Sequence, residues 1–215
     1  MKKVILSIER LGEFEFEEHT AGGVKIRHAI STDAQEIADL YKSSFQEHIL
    51  VQRGILSNPK ELEKQIALEN KYWLVAEKEG KIKGCAAIEV ADWNKSAEIE
   101  RVVVDNEYRG NGVGSEICKS LVECAEKVGV EYLFAHCRGP EFGMQRALEK
   151  QGFRVSGIMP VFHVVHDGRK IRENFVYMER FLNGAEKDVE SPDNLIPAAQ
   201  RVKDAIEGCG ANEKM

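Results

Sequence analysis

The architecture of this chain rests on the stretch Ala97-Glu98-Ile99-Glu100-Arg101-Val102-Val103-Val104-Asp105-Asn106-Glu107-Tyr108-Arg109-Gly110-Asn111-Gly112-Val113-Gly114-Ser115. Residues 97–104 alternate and end in β-branched side chains, which predicts a strand. Further on, Ile117, Leu121, Cys124 and Val128 fall at helical spacing, predicting a helix from Ser115 to a stop at Gly129. Arg109, Gly110, Asn111, Gly112, Val113 and Gly114 join the two. A glycine-rich turn from strand into helix presents backbone N–H groups with no side chains in the way. The helix dipole adds to their positive potential, so the ligand it suits is a phosphate or pyrophosphate.

Two phosphate-loop patterns fail here. A Walker A loop needs Gly-Lys followed by Ser or Thr, and no lysine lies between Arg109 and Ser115. A dinucleotide fingerprint needs Gly or Ala where Ser115 stands and an acid about 20 residues on, where the chain reads Phe134-Ala135-His136. The pattern present is Arg-x-x-Gly-x-Gly, followed after a second helix by Gly152-Phe153. It resembles the coenzyme A pyrophosphate loop of the GNAT superfamily of N-acyltransferases.

The 215 residues suffice for one domain with a substantial core plus appendages. A net charge of −6 argues against a nucleic-acid-binding surface and welcomes a cationic or amine-bearing substrate. Cys85, Cys118, Cys124, Cys137 and Cys209 show no C-x-x-C spacing, so free thiols in a reducing compartment are expected. The apolar run from Val4 to Ile8 meets Glu9 and Arg10 too early for a signal peptide. No apolar stretch is long enough to span a membrane, so a cytoplasmic location is expected.

Residues 1–23 read as an N-terminal extension with two β-like pieces, Val4 to Ile8 and Glu13 to Glu17, ended by a hinge at Ala21-Gly22-Gly23. Thr32 is the expected cap of a helix carrying Ile37, Leu40, Tyr41 and Phe45, and Asn58-Pro59 with Glu61 opens another. A hairpin is predicted over residues 72–77 and 82–90, and two closing strands over 154–165 and 171–178. From Val24 to Leu182 the order β-α-α-β-β-β-α-β-α-β-β is similar to that of the GNAT superfamily. The resemblance implies an α/β (α+β) domain over residues 24–182, with a mixed, mostly antiparallel central sheet flanked by helices. Residues 183–215 read as a polar linker and an amphipathic helix, a candidate dimerisation element.

The resemblance implies that the strand before the loop bulges and splays from the next, and that acyl-CoA lies in the gap. Val102, Val103 and Val104 would then hydrogen-bond pantetheine, and Arg109, Gly110, Asn111, Gly112, Val113, Gly114 and Ser115 would cradle the pyrophosphate. Arg138 and Arg146 are candidates for the 3′-phosphate. Acetyl-CoA is the implied co-substrate, a primary amine the acceptor, and no metal is called for. An amine must lose its proton before it attacks, and a carboxylate can take it. Glu98 and Glu100 share one face of the strand. Glu98, eleven residues before Arg109, resembles the glutamate base of the protein-acetylating branch and ranks first.

The chain departs from the superfamily where many members carry a thiolate-protonating tyrosine: here that position is Leu148, and the usual asparagine before it is Glu141. Water, Cys137, His136 and Tyr177 remain as proton donors. His163 and His166, three apart on a strand, point to opposite faces and do not chelate one ion side by side. The expected activity is acetyl transfer to the amine of a small molecule or amino acid. The rivals are a protein or peptide acetyltransferase and a non-catalytic acyl-CoA sensor.

Overall fold

Residues 14–189 and 195–211 are described in the computed structural model of the chain, and the expected strand from Val4 to Ile8 lies outside them. The strands are β1 (His19–Ala21), β2 (Val24–His28), β3 (Lys71–Lys78), β4 (Lys81–Ala91), β5 (Ser96–Val104), β6 (Tyr132–Arg138), β7 (Arg154–His166) and β8 (Arg169–Phe181). They form one sheet in the order β1-β2-β3-β4-β5-β6-β8-β7. Every neighbouring pair is antiparallel except β5 with β6. This is the mixed, mostly antiparallel sheet expected.

The residues read as a hinge are the tight turn of the β1–β2 hairpin, with φ of 60° at Gly22 and 77° at Gly23. His19–Ala21, placed by the sequence in an extension, is thus the edge strand of the sheet. Phe14 to Glu17 forms no strand; Phe14 instead packs its ring against Tyr72, centroids 5.6 Å apart. Asp167 and Gly168, both with positive φ, make the two-residue turn that closes the β7–β8 hairpin.

Among the described residues, five helices surround the sheet: α1 (Ala34–Ser44), α2 (Ile49–Gln52), α3 (Pro59–Ile66), α4 (Val113–Val128) and α5 (Phe142–Glu149). Thr32 does not cap α1. Its start is set by Asp33, whose carboxylate accepts the Ile30 N–H at 2.8 Å and pairs with Arg27 at 2.7 Å. Asn58 caps α3 as expected, accepting the Lys60 N–H at 3.0 Å. The one-turn α2 is too short to show a period in sequence. A sixth helix, α6 (Pro197–Ala211), turns Val202, Ala205 and Ile206 toward residues 153–158 of its own chain around a cavity of about 820 Å³. No helix among the described residues is long and apolar enough to cross a membrane.

The sheet separates two apolar layers. Tyr72, Leu74 and Ala76 of β3 face Ile117, Leu121 and Leu148 of α4 and α5, while Trp73 and Val75 face Ile37, Tyr41 and Leu62 of α1 and α3. Each fully buried Ile or Leu in these layers contributes about 2 kcal/mol of transfer free energy. In β5 the alternation breaks: Ala97 and Ile99 belong to the α4 layer, yet Val103 belongs to the α1 layer. The pairing with β4 supplies the reason. Ala87 opposes Glu100 and Cys85 opposes Val103, so Arg101 and Val102 together face Ala86 in a β-bulge. That extra residue inverts which face each later side chain takes.

Candidate active site

α4 begins two residues earlier than the spacing predicts, at Val113, because Gly112 (φ 85°) bends the chain straight into it. Gly110 also lies in the left-handed region, at φ 80°. A Cβ at either glycine would meet nothing within 4 Å, so conformation demands glycine and the space above the loop stays open. The N–H groups of Val113, Gly114 and Ser115 open the helix and have no intrahelical acceptor. They line a cavity of about 440 Å³ with Arg109, Gly110 and Gly112. Val102, Val103 and Val104 form one wall, and Phe142, Arg146 and Lys150 stand on the other.

Of the loop residues expected at the phosphate, Asn111 alone does not line this cavity. Its carbonyl abuts the β1–β2 turn, 3.3 Å from where a Cβ on Gly22 would stand. Arg109 folds back along the wall: its Nε donates to the Val104 carbonyl at 3.2 Å and its guanidinium lies 5.5 Å from the Phe45 ring centroid. An open glycine cradle, helix-start N–H groups without an intrahelical acceptor and three flanking cations fit a pyrophosphate.

β5 pairs with β6 only from Ser96 to Glu98, opposite Tyr132 to Phe134, and the strands then part. The bulge holds them apart. Arg101 has φ 60°, the left-handed region, which costs a residue with a Cβ about 1–2 kcal/mol. A buried partner offsets that strain: the Tyr41 hydroxyl donates to the Arg101 carbonyl and accepts from the Cys85 thiol, 3.7 Å away. Burial pushes the Tyr41 hydroxyl well above its ordinary range, so it stays a donor.

A second cavity, of about 450 Å³, opens beyond the bulge and shares Phe45, Val102, Glu141 and Met144 with the first. Glu98 and Glu100 both line it, and what holds them differs. Glu98 Oε1 lies 2.9 Å from His136 Nδ1, both side chains being about 30% exposed. Glu100 is bound at 2.6 Å by Lys71 Nζ, which also reaches Glu89 at 2.8 Å and the Gln65 side chain at 3.2 Å. Glu98 thus meets a hydrogen-bonded imidazole, and Glu100 a nearly buried ammonium.

Arg138 lines this second cavity, not the phosphate loop, and is clamped by Glu173 at 2.7 and 2.9 Å; Arg146 does flank the loop, stacked on Phe142. Leu148 is fully buried. Cys137 lines the second cavity, and burial pushes its thiol up to about 12. His163 and His166 sit on β7 opposite Arg172 and Arg169.

Sequence reasoning missed Tyr41, Phe45, His48 and Arg101. No motif marks the first three. Arg101 follows Glu100 and by alternation belongs on the other face; only the bulge brings it to the cavity. His48 caps α2, its Nδ1 accepting the Leu50 N–H at 3.1 Å. Burial, then Arg138 and Arg101, push its imidazole down to about 4, so it is neutral at pH 7.

Residues 34–153, which hold the loop, the bulge and the diverging strands, match the family described as Acetyltransferase (GNAT) family. The chain is similar to the amino-acid acetyltransferase of Pasteurella multocida, 28% identical over 109 residues, which are 51% of this chain and 23% of that protein. It is also similar to the beta-lysine N(6)-acetyltransferase of Methanosarcina mazei, 27% identical over 139 residues, covering 63% of this chain and 48% of that protein. The chain thus spans less than half the length of these relatives. Among solved structures it shares the fold of the phosphinothricin acetyltransferase of Sinorhizobium meliloti in complex with AcCoA, with a TM-score of 0.65 at 20% identity over 81% of this chain and 96% of that one. The ribosomal-protein-alanine N-acetyltransferase of Brucella melitensis gives 0.63 at 24% identity, over 73% of this chain and 99% of that one. By sequence and by architecture, this chain belongs to the GNAT family of acetyltransferases.

Proposed function

We propose that the chain transfers an acetyl group from acetyl-CoA to a primary amine of a small molecule or amino acid, by direct attack within a ternary complex. The observation that carries this reading is the meeting of two cavities at Val102, one floored by the glycine loop and the other holding Glu98 and His136. Residues 24–182 would form the transferase domain, with the segments on either side as appendages. Acetyl-CoA, when bound, supplies the acetyl group already activated as a thioester.

The chain's own residues do the rest. The N–H groups of Val113, Gly114 and Ser115, with Arg109, hold the pyrophosphate. Beyond Glu98, β5 has no β6 partner, and backbone groups of Val102, Val103 and Val104 on that open side would hold the pantetheine arm, with N–H groups near Val103 and Val104 polarising the thioester carbonyl. At pH 7 only about one amine in 2,500 is neutral, a deficit of about 4.6 kcal/mol. Glu98 accepts that proton directly or through one water, with His136 fixing its orientation. Glu100, neutralised by Lys71, is the weaker candidate.

The test is thiol release from acetyl-CoA across polyamines, α- and β-amino acids, amino sugars and short peptides, with a no-amine control and parallel binding of the cofactor. A response to small amines supports the reading, and a response to peptides alone replaces it with a peptide acetyltransferase. The buried Leu148, where the resemblance to the superfamily implies a tyrosine, favours a second reading as a non-catalytic acyl-CoA sensor. Silence with cofactor binding retained would select it. Silence without binding would overturn the loop assignment.

A further inference from the structure

We propose that Arg101 is a carboxylate-binding residue of the acceptor cavity, so that the amine acetylated here is an amino acid, held by its carboxylate at Arg101 while Glu98 takes the proton from its amine. This rests on the acetyl-transfer reading above.

Arg101 lines the cavity, and its side chain is only 22% exposed. Its Nε is buried without a hydrogen-bond partner. The nearest anion, Glu100 Oε2 at 3.3 Å, belongs to a carboxylate that Lys71 already holds at 2.6 Å. Among the described residues, the Nε–H of Arg101 makes no hydrogen bond, and Glu100 is the one carboxylate within ion-pair distance of its side chain. Taking a cation out of water without hydrogen bonds is costly, so such a group calls for a partner, which a bound anion can supply.

The other cations near the cavity are engaged. Arg138 is gripped through two nitrogens by Glu173, and Lys71 is shared among Glu100, Glu89 and Gln65. Arg101 is therefore where a planar, two-oxygen anion finds matching donors. Its position follows from the bulge, which turns it toward the same cavity as Glu98, three residues before it on β5. A cavity with a carboxylate for the amine and an open guanidinium for an anion complements a zwitterion. Phe45, Leu50, Leu56 and Phe175 supply apolar wall for the side chain.

The experiment compares matched acceptors that differ by the carboxylate: lysine against 1,5-diaminopentane, and phenylalanine against 2-phenylethylamine. The readout is the ratio of kcat/KM within each pair for the wild type, Arg101→Gln and Arg101→Lys. The wild type should favour the carboxylate-bearing member about tenfold to a hundredfold, the range for hydrogen bonds to a charged group. Arg101→Gln should bring the ratio near one and Arg101→Lys should restore part of it. If Arg101 only shapes the bulge, both members lose rate and the ratio stays, which overturns the proposal; so does a wild type that favours the decarboxylated amine. Should the protein bind acetyl-CoA and turn over none of these amines, acetyl transfer fails as a reading. The inference is then read by calorimetry of the same pairs against the CoA-loaded protein. Binding that needs the carboxylate and is lost in Arg101→Gln supports it; equal binding within the pairs, or none at millimolar concentration, overturns it.

Discussion

Acid should destabilise this protein in part through a single side chain, His48, and His48→Asn should cancel that part. Burial, with Arg138 and Arg101, pushes the imidazole from 6.5 down to about 4 against the opposing pull of Glu47 and Glu173. Between those two pH values the unfolded chain binds a proton that the folded chain refuses. Stability is therefore complete above pH 6.5 and falls as the pH drops toward 4. At about 1.4 kcal/mol per pH unit the loss amounts to about 3 kcal/mol. It has a structural side. His48 Nδ1 accepts the Leu50 N–H at 3.1 Å, and once protonated it cannot, so α2 loses its cap beside the second cavity. Asparagine keeps an oxygen for that N–H and does not titrate. Urea unfolding of both proteins at pH 7, 6, 5 and 4 should show the wild type losing about 3 kcal/mol more than the variant. Contributions common to both cancel in the difference, among them His28, which burial and Arg27 also push down. Parallel pH dependences, or a His48 imidazole resonance that titrates near 6.5, would refute the reasoning.

Glu98→Gln should lower kcat about a hundredfold or more, most severely at low pH, while acetyl-CoA binds as before; if Glu100→Gln does this instead, the ranking of the two carboxylates is wrong. Gly112→Trp puts a large side chain at φ 85° over the loop and should abolish cofactor binding with the circular dichroism unchanged; undiminished binding would remove the loop from the site. Tyr41→Phe leaves the buried Arg101 carbonyl without its donor and should cost about 1–3 kcal/mol. The KM for acetyl-CoA should rise with it, and an unchanged Tm together with an unchanged KM would mean the bulge does not depend on that hydroxyl.

The strand, loop and helix from Ser96 to Val128 were legible because alternation, glycine and helical spacing follow one another without interruption. The β3–β4 hairpin and the Asp167-Gly168 turn announced themselves in the same way. The bulge did not, as a family expectation or otherwise, show where it would fall. Glu100-Arg101-Val102-Val103-Val104 reads as uninterrupted strand, and the left-handed Arg101 is fixed by a hydroxyl from Tyr41, sixty residues away. The difference between Glu98 and Glu100 was hidden for the same reason, since Lys71 reaches Glu100 from a neighbouring region of the sheet. What local pattern encodes was readable; what a distant side chain imposes was not.

Under the proposed reaction, the leucine at position 148 is a smaller deficit than it looks. Two protons move, and their costs at pH 7 differ. Freeing an amine of pKa 10.4 costs about 4.6 kcal/mol, whereas protonating a departing thiolate of pKa 8.5 contributes at most about 2 kcal/mol. Leu148 is sealed in the α4 layer, and Cys137, at about 12, would have to give up its proton uphill to such a thiolate. Burial raises the Tyr177 hydroxyl too, which makes it a poorer acid still. Of the candidates, His136 beside Glu98 and solvent remain for the cheaper transfer. The dearer transfer has Glu98 and His136 in contact at 2.9 Å. Titratable side chains concentrate accordingly around the acceptor cavity, while the glycine-loop cavity carries cations and backbone donors, with Glu141 as the one carboxylate among the residues that line it.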